Sequence, residues 1–154
     1  MRLYLIQHGI AKSKDEDPER PLNTQGRTES ETLAYFIAGK LREIPQFIYH
    51  SGKARARETA EIFGAALEAT SAVDAADDLS PSDEPCTWFN RIKGIMDDTM
   101  LVGHLPHLSR LASLILTGDS EREAIKFVNS GVVCLERDGS DHWSVAWMVV
   151  PEVV

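Results

Sequence analysis

Short apolar runs alternate with stretches of helical periodicity along this chain, and that alternation admits few folds. Leu3, Tyr4, Leu5 and Ile6 lie inside Arg2 to Gln7, a run too short for a helix and suited to a buried strand. Lys12 to Arg20 is charged and aperiodic, which predicts a loop. Asn23 or Thr24 then offers an N-cap, and Leu33, Phe36, Ile37 and Leu41 recur with the spacing of one helical face, until Gly39 weakens the end. Phe47 to His50 is a second short strand, followed by a helix with Thr59, Ile62, Phe63, Ala66 and Leu67 on one side. After the polar loop Asp77 to Pro85, a short helix turns Trp88, Phe89, Ile92 and Met96 inward, and Thr99 to Gly103 is the next strand. Pro106 suits a first helical position, where its missing N–H forfeits no intrahelical bond. Leu108, Leu111, Ala112 and Ile115 form the stripe that follows. Val132 to Arg137 and Trp143 to Val150 flank Asp138 to Asp141, a hairpin turn sequence.

Strand and helix in alternation predict an α/β fold: a mixed, mostly parallel sheet with helices on both faces and a C-terminal antiparallel hairpin. Residues 1–154 suit one domain with its own core, at 43% hydrophobic and 26% charged residues. A net charge of −8 argues against nucleic acid or an anionic membrane as partner, since both need many exposed cations. The first apolar run is too short for a signal sequence and nothing approaches a spanning helix, so a cytoplasmic location is expected. Cys86 and Cys134 have no metal-ligand spacing and fall in different elements, which predicts two packed, unpaired thiols.

Right-handed crossovers bring the C-terminal ends of parallel strands to one edge of the sheet. His8, the Ser51 to Arg55 segment and His104 all occupy such ends, although they are far apart in sequence. Two imidazoles and a guanidinium that converge have the makings of a phosphoryl-transfer site. A phosphoryl group in transit is a dispersed anion that needs an in-line nucleophile and donors aimed at its equatorial oxygens. His8 can attack, Arg55 can clamp from the first turn of its helix, and His104 can donate to the same oxygens. Ser51 is expected to cap the second helix. His104 and His107 lack a third ligand nearby in sequence, so no metal is expected.

These residues resemble the histidine phosphatase superfamily, whose signature is Arg-His-Gly at the first strand end, an arginine after the second strand and a later histidine. Here the positions read Gln7-His8-Gly9, Arg55 and His104. The local strings are similar to the small bacterial phosphohistidine phosphatase branch, SixA type: Arg20-Pro21-Leu22-Asn23 before Gly26, Ser51 with Arg55-Ala56 and Thr59, and Gly103-His104-Leu105-Pro106. The resemblance spans nearly the whole chain. It implies a three-layer α/β/α sandwich of the phosphoglycerate mutase-like kind, His8 as the phosphorylated nucleophile, and Gln7, Arg20, Arg55 and His104 around the phosphoryl group. It implies no cofactor, and as substrate a histidine-phosphorylated protein or a small phosphorylated molecule.

Gln7 departs from the family pattern, because a neutral amide stands where a bidentate, permanently charged fork is usual. Losing one preorganised donor typically costs about 10² to 10³ in rate, against the roughly 10⁶ or more that enzymes supply, so activity is reduced rather than necessarily lost. A binding module for phosphate or phosphoproteins is the alternative this residue opens. Mutases and ester phosphatases of the family also need a carboxylic acid at the leaving oxygen, and Asp83 and Glu84 are the candidates for it in a phosphomonoesterase or mutase. A phosphohistidine substrate needs that acid less, because imidazole, with a pKa of about 6.5, departs neutral once protonated.

Overall fold

A computed structural model describes all residues 1–154. Ten regular elements follow one another: β1 (Arg2–Gln7), α1 (Thr24–Ala38), β2 (Phe47–His50), α2 (Ala54–Ala66), β3 (Val73–Ala75), α3 (Pro85–Gly94), β4 (Thr99–Gly103), α4 (His107–Thr117), β5 (Val132–Arg137) and β6 (Trp143–Val149). The strands form a single six-stranded sheet in the order β3-β2-β4-β1-β5-β6. Its β3-β2, β2-β4 and β4-β1 pairs are parallel, and β1-β5 and β5-β6 are antiparallel. The mixed sheet with a C-terminal hairpin is therefore as the alternation predicts.

Two apolar clusters, one per face, make the three layers. Along β1 the side chains alternate: Tyr4 and Ile6 join Ile48, Met100 and Val102 beneath α1 and α2, whereas Leu3 and Leu5 join Leu101 on the other face, against Leu108 and Leu111 of α4 and Trp88 and Ile92 of α3. All four of these β1 residues are fully buried. Each such side chain contributes about 1.5 to 3 kcal/mol relative to exposure, so β1 is held in place on both faces.

Several local expectations change. Asn23, rather than Thr24, caps α1, its side chain accepting the Gly26 N–H at 2.7 Å. The buried apolar face of α1 is Leu33, Ala34 and Ile37, while Phe36 is 39% exposed. Met96 falls beyond the end of α3 and is 76% exposed, leaving Trp88 and Ile92 as the inward residues. Pro106 is the N-cap of α4 instead of its first residue. Cys134 is buried but Cys86 is exposed on α3, so only the first is a packed thiol. The three-residue edge strand β3 was not predicted at all.

The loop between β1 and α1 is closed at its base. Ala11 bridges Leu22, the Lys12 N–H donates to the Pro21 carbonyl at 2.8 Å, and Asn23 N–H donates to the Ile10 carbonyl at 2.9 Å. This closure brings the segment after β1 against the first turn of α1, and two glycines permit it. A Cβ on Gly9 would stand 2.7 Å from Ser30 Oγ and 2.8 Å from the Gly26 carbonyl, and one on Gly26 would run into the Ile10 backbone.

Candidate functional site

The site is assembled by strand register. Gln7 of β1 lies opposite Gly103 of β4, and the next N–H, that of His8, donates to the Gly103 carbonyl at 3.1 Å. His8 and His104 therefore leave adjacent parallel strands side by side, with ring centroids 4.9 Å apart and planes tilted by 56°. On the other side of β4, β2 pairs through His50 opposite Val102, which delivers Ser51 and the start of α2 to the same edge.

Hydrogen bonds fix the tautomer of His8. Its Nδ1 is 2.7 Å from the Gly9 carbonyl, which can only accept, and its Nε2 is 3.2 Å from the Arg55 Nε–H, which can only donate. The ring is thus protonated at Nδ1 and carries its lone pair on Nε2, where it accepts from the guanidinium. Thr59 pins this pairing: its Oγ donates to the Arg55 carbonyl at 2.7 Å and accepts the Gly9 N–H at 3.0 Å. The loop that carries His8 and the helix that carries Arg55 are coupled through one hydroxyl.

His104 is 2% exposed, and its Nε2 lies 2.6 Å from Ser51 Oγ. Ser51 does not cap α2, as the sequence suggested; Lys53 occupies the cap position and Ser51 engages the second histidine. The Nδ1 of His104 is buried without a partner.

Burial pushes His8 down to about 4, with Arg55 and Arg20 adding to the effect and the Gly9 hydrogen bond opposing it. Burial likewise pushes His104 down to about 3, helped by His8, Arg55, Lys53 and His107. Both rings are consequently neutral at pH 7. An anion placed between them and Arg55 opposes these effects and raises the proton affinity of both rings.

The remaining predicted residues take varied positions. Gln7 ends β1 with its backbone carbonyl accepting from Ser130 N–H at 3.0 Å, while its side-chain Oε1 is buried and unpartnered. Such an orphan amide costs about 1 to 3 kcal/mol unless something else satisfies it. Arg20 is exposed in a left-handed conformation (φ 51°), its Nε donating to the Lys12 carbonyl at 3.2 Å, and it lines the same groove as Arg55. Neither Asp83 nor Glu84 hydrogen-bonds His8, Arg55 or His104. The Asp83 carboxylate accepts the Ser80 N–H at 2.7 Å, and Glu84 is the exposed N-cap of α3.

Asn129 went unnoticed in the sequence. Its side-chain amide donates to the His8 carbonyl at 2.8 Å, and the following Ser130 sits at φ 61° to bond the end of β1. The only signal was the turn composition of Asn129-Ser130-Gly131 before β5, which does not say what the turn touches.

Comparison with known proteins bears on the family and the fold. Residues 3–80 match the family model of the histidine phosphatase superfamily (branch 1). The phosphohistidine phosphatase SixA of Escherichia coli K12 is 24% identical over 156 residues, covering 98% of this chain and 94% of that protein. A protein of Picosynechococcus sp. is 33% identical over 130 residues, covering 78% of this chain and 76% of the relative. Among solved structures, the protein histidine phosphatase SixA complexed with tungstate superposes with a TM-score of 0.85 at 24% identity, with 99% of both chains covered.

His8 and His104, the two histidines of the site, give a pH dependence of stability. Their folded values lie below the ~6.5 of a free imidazole, so the unfolded chain binds more protons on acidification. The stability they contribute is complete above that unfolded value and is lost as pH falls toward about 4 and about 3. In urea titrations from pH 7 to pH 5, the wild-type midpoint should fall more than that of a His8→Gln/His104→Gln variant. Parallel declines would contradict the burial of neutral imidazoles.

Proposed function

This chain belongs to the histidine phosphatase superfamily and is a phosphatase, and from that premise we propose that it hydrolyses phosphohistidine through a covalent intermediate on His8. The observation that carries the reading is the neutral His8 ring, protonated on Nδ1 by its bond to Gly9, with the Nε2 lone pair facing Arg55 beside His104.

In the first step the Nε2 lone pair forms a bond to phosphorus as the phosphorus–nitrogen bond of the substrate breaks. The substrate imidazole, protonated from solvent before the phosphorus–nitrogen bond breaks, keeps that bond's electron pair and departs neutral. Arg55 holds the equatorial oxygens, and His104 donates to them once the anion has raised its proton affinity. Gln7 contributes a neutral amide donor, and Arg20 adds positive potential from the rim. In the second step water attacks phosphorus, the bond to Nε2 breaks, and inorganic phosphate departs with His8 neutral again. Asn129 and Thr59 are positioning residues, since they act on the His8 carbonyl and on the Gly9 and Arg55 backbone.

Two facts favour phosphohistidine over an ester. The Asp83 carboxylate is engaged by its own loop and Glu84 faces solvent, so neither stands ready to protonate an alkoxide. An imidazole leaving group makes that acid dispensable. The name of the Escherichia coli relative points the same way.

Incubation with a histidine-phosphorylated phosphocarrier or kinase domain should release phosphate, with acid-labile phosphate trapped on His8 in a rapid quench. His8→Gln should lower turnover by at least about 10³-fold. Turnover that persists in His8→Gln, or that proceeds with no phosphate on His8, removes the covalent mechanism. Gln7→Arg should raise kcat/KM by about tenfold or more, because it supplies a charged donor where the phosphoryl charge is held. Equal or lower activity in a folded variant would show that Gln7 serves a different ligand.

A further inference from the structure

Beside the histidine pair lies an open groove of about 370 Å³ that extends beyond the phosphoryl site and shares Arg55 with it. Lys14, Arg20, Lys53 and Arg55 line it, with Glu19 as the one acidic side chain. Four cations in one groove are unexpected in a chain of net charge −8. None of the four forms an ion pair with a carboxylate, although six other arginines of the chain do.

The neighbouring carboxylates are turned away onto backbone and distant partners. Glu16 accepts the Ser13 N–H at 2.8 Å and Asp17 accepts the Glu19 N–H at 3.0 Å, so these acids stabilise the loop that carries Lys14 and Arg20 instead of neutralising it. Glu58 accepts from Leu22 N–H at 3.0 Å and Arg27 at 3.1 Å. Arg20 is held at φ 51°, a conformation that is uncommon for a non-glycine residue, by its N–H bond to the Asp17 carbonyl at 2.9 Å. The groove is continuous with the phosphoryl site, since Arg55 belongs to both and the charge of Lys53 is felt at His104.

We propose that this groove is a second anion subsite, which binds acidic side chains flanking the phosphorylated histidine of a substrate protein. The inference rests on the phosphohistidine reading and adds to it a substrate class: phosphoproteins with aspartate or glutamate beside the phosphorylated residue. Arg55 holds the phosphoryl group, and Lys14 and Lys53 meet the flanking carboxylates. Exposed ion pairs are individually weak, but two or three acting together on one ligand give about a tenfold preference that fades with salt.

The test is equilibrium binding, so that it does not depend on turnover. Calorimetry compares two peptides carrying a triazole-phosphonate in place of phosphohistidine, one flanked by aspartates and one by asparagines. The aspartate peptide should bind about tenfold more tightly in 50 mM salt, and Lys14→Gln/Lys53→Gln should erase most of that difference, with circular dichroism establishing that the variant is folded. Equal affinities, no binding of either peptide, or a preference unaltered in the double variant overturns the subsite. Hydrolysis of phosphohistidine with no flank preference would sink the subsite and leave the phosphatase mechanism standing. Flank-dependent binding with no hydrolysis would do the reverse.

Discussion

The parallel pairing of β1 with β4 is the constraint on which the rest of this molecule depends. It sets His8 next to His104 across a gap of 96 residues in a chain of 154, and it does so through backbone register rather than any attraction between the rings. A strand buried on both faces cannot slip by one residue without exchanging Leu3 and Leu5 for Tyr4 and Ile6, so the same apolar alternation that builds two cores also fixes where the histidines emerge. Stability and site geometry share one cause. The antiparallel contact of β1 with β5 adds a second hold, and the turn leading into β5 reaches over the strand end through Asn129 and Ser130.

Burial then sets the chemistry. Imidazoles in water are partly protonated near neutral pH, and a protonated nucleophile has no lone pair to offer. Here desolvation and the nearby Arg55 hold both rings neutral, while the permanently charged guanidinium remains the attractive element for an anion. On the proposed mechanism this separates the group that attacks from the group that binds, and hydrogen bonds to the Gly9 carbonyl and from Arg55 leave His8 one tautomer. Gln7 is the residue that does not fit this economy, since its buried oxygen has no partner in the protein.

Much of this was legible in the sequence because period and order carry long-range consequences. Alternating strands and helices imply a common catalytic edge, and that alone brings His8, Arg55 and His104 together. What was not legible lies in contacts between remote segments. Ser51 looks like a helix cap because caps are local, but it bonds a histidine 53 residues away. Asn129 acts on a carbonyl 121 residues away. β3 has only three residues and sits at the sheet edge, where little apolar pattern is needed. Phe36 and Ala34 both fit the inward side of α1 by periodicity, and only the packing against the sheet decides between them.

The most direct test of the account is a crystal structure of the protein with vanadate. One vanadate is expected at the common edge of the sheet, with vanadium bonded to His8 Nε2 and its oxygens accepting from Arg55 and His104. Vanadate bound elsewhere, or reaching only one of the three side chains, would contradict the claim that they form a single phosphoryl-transfer site.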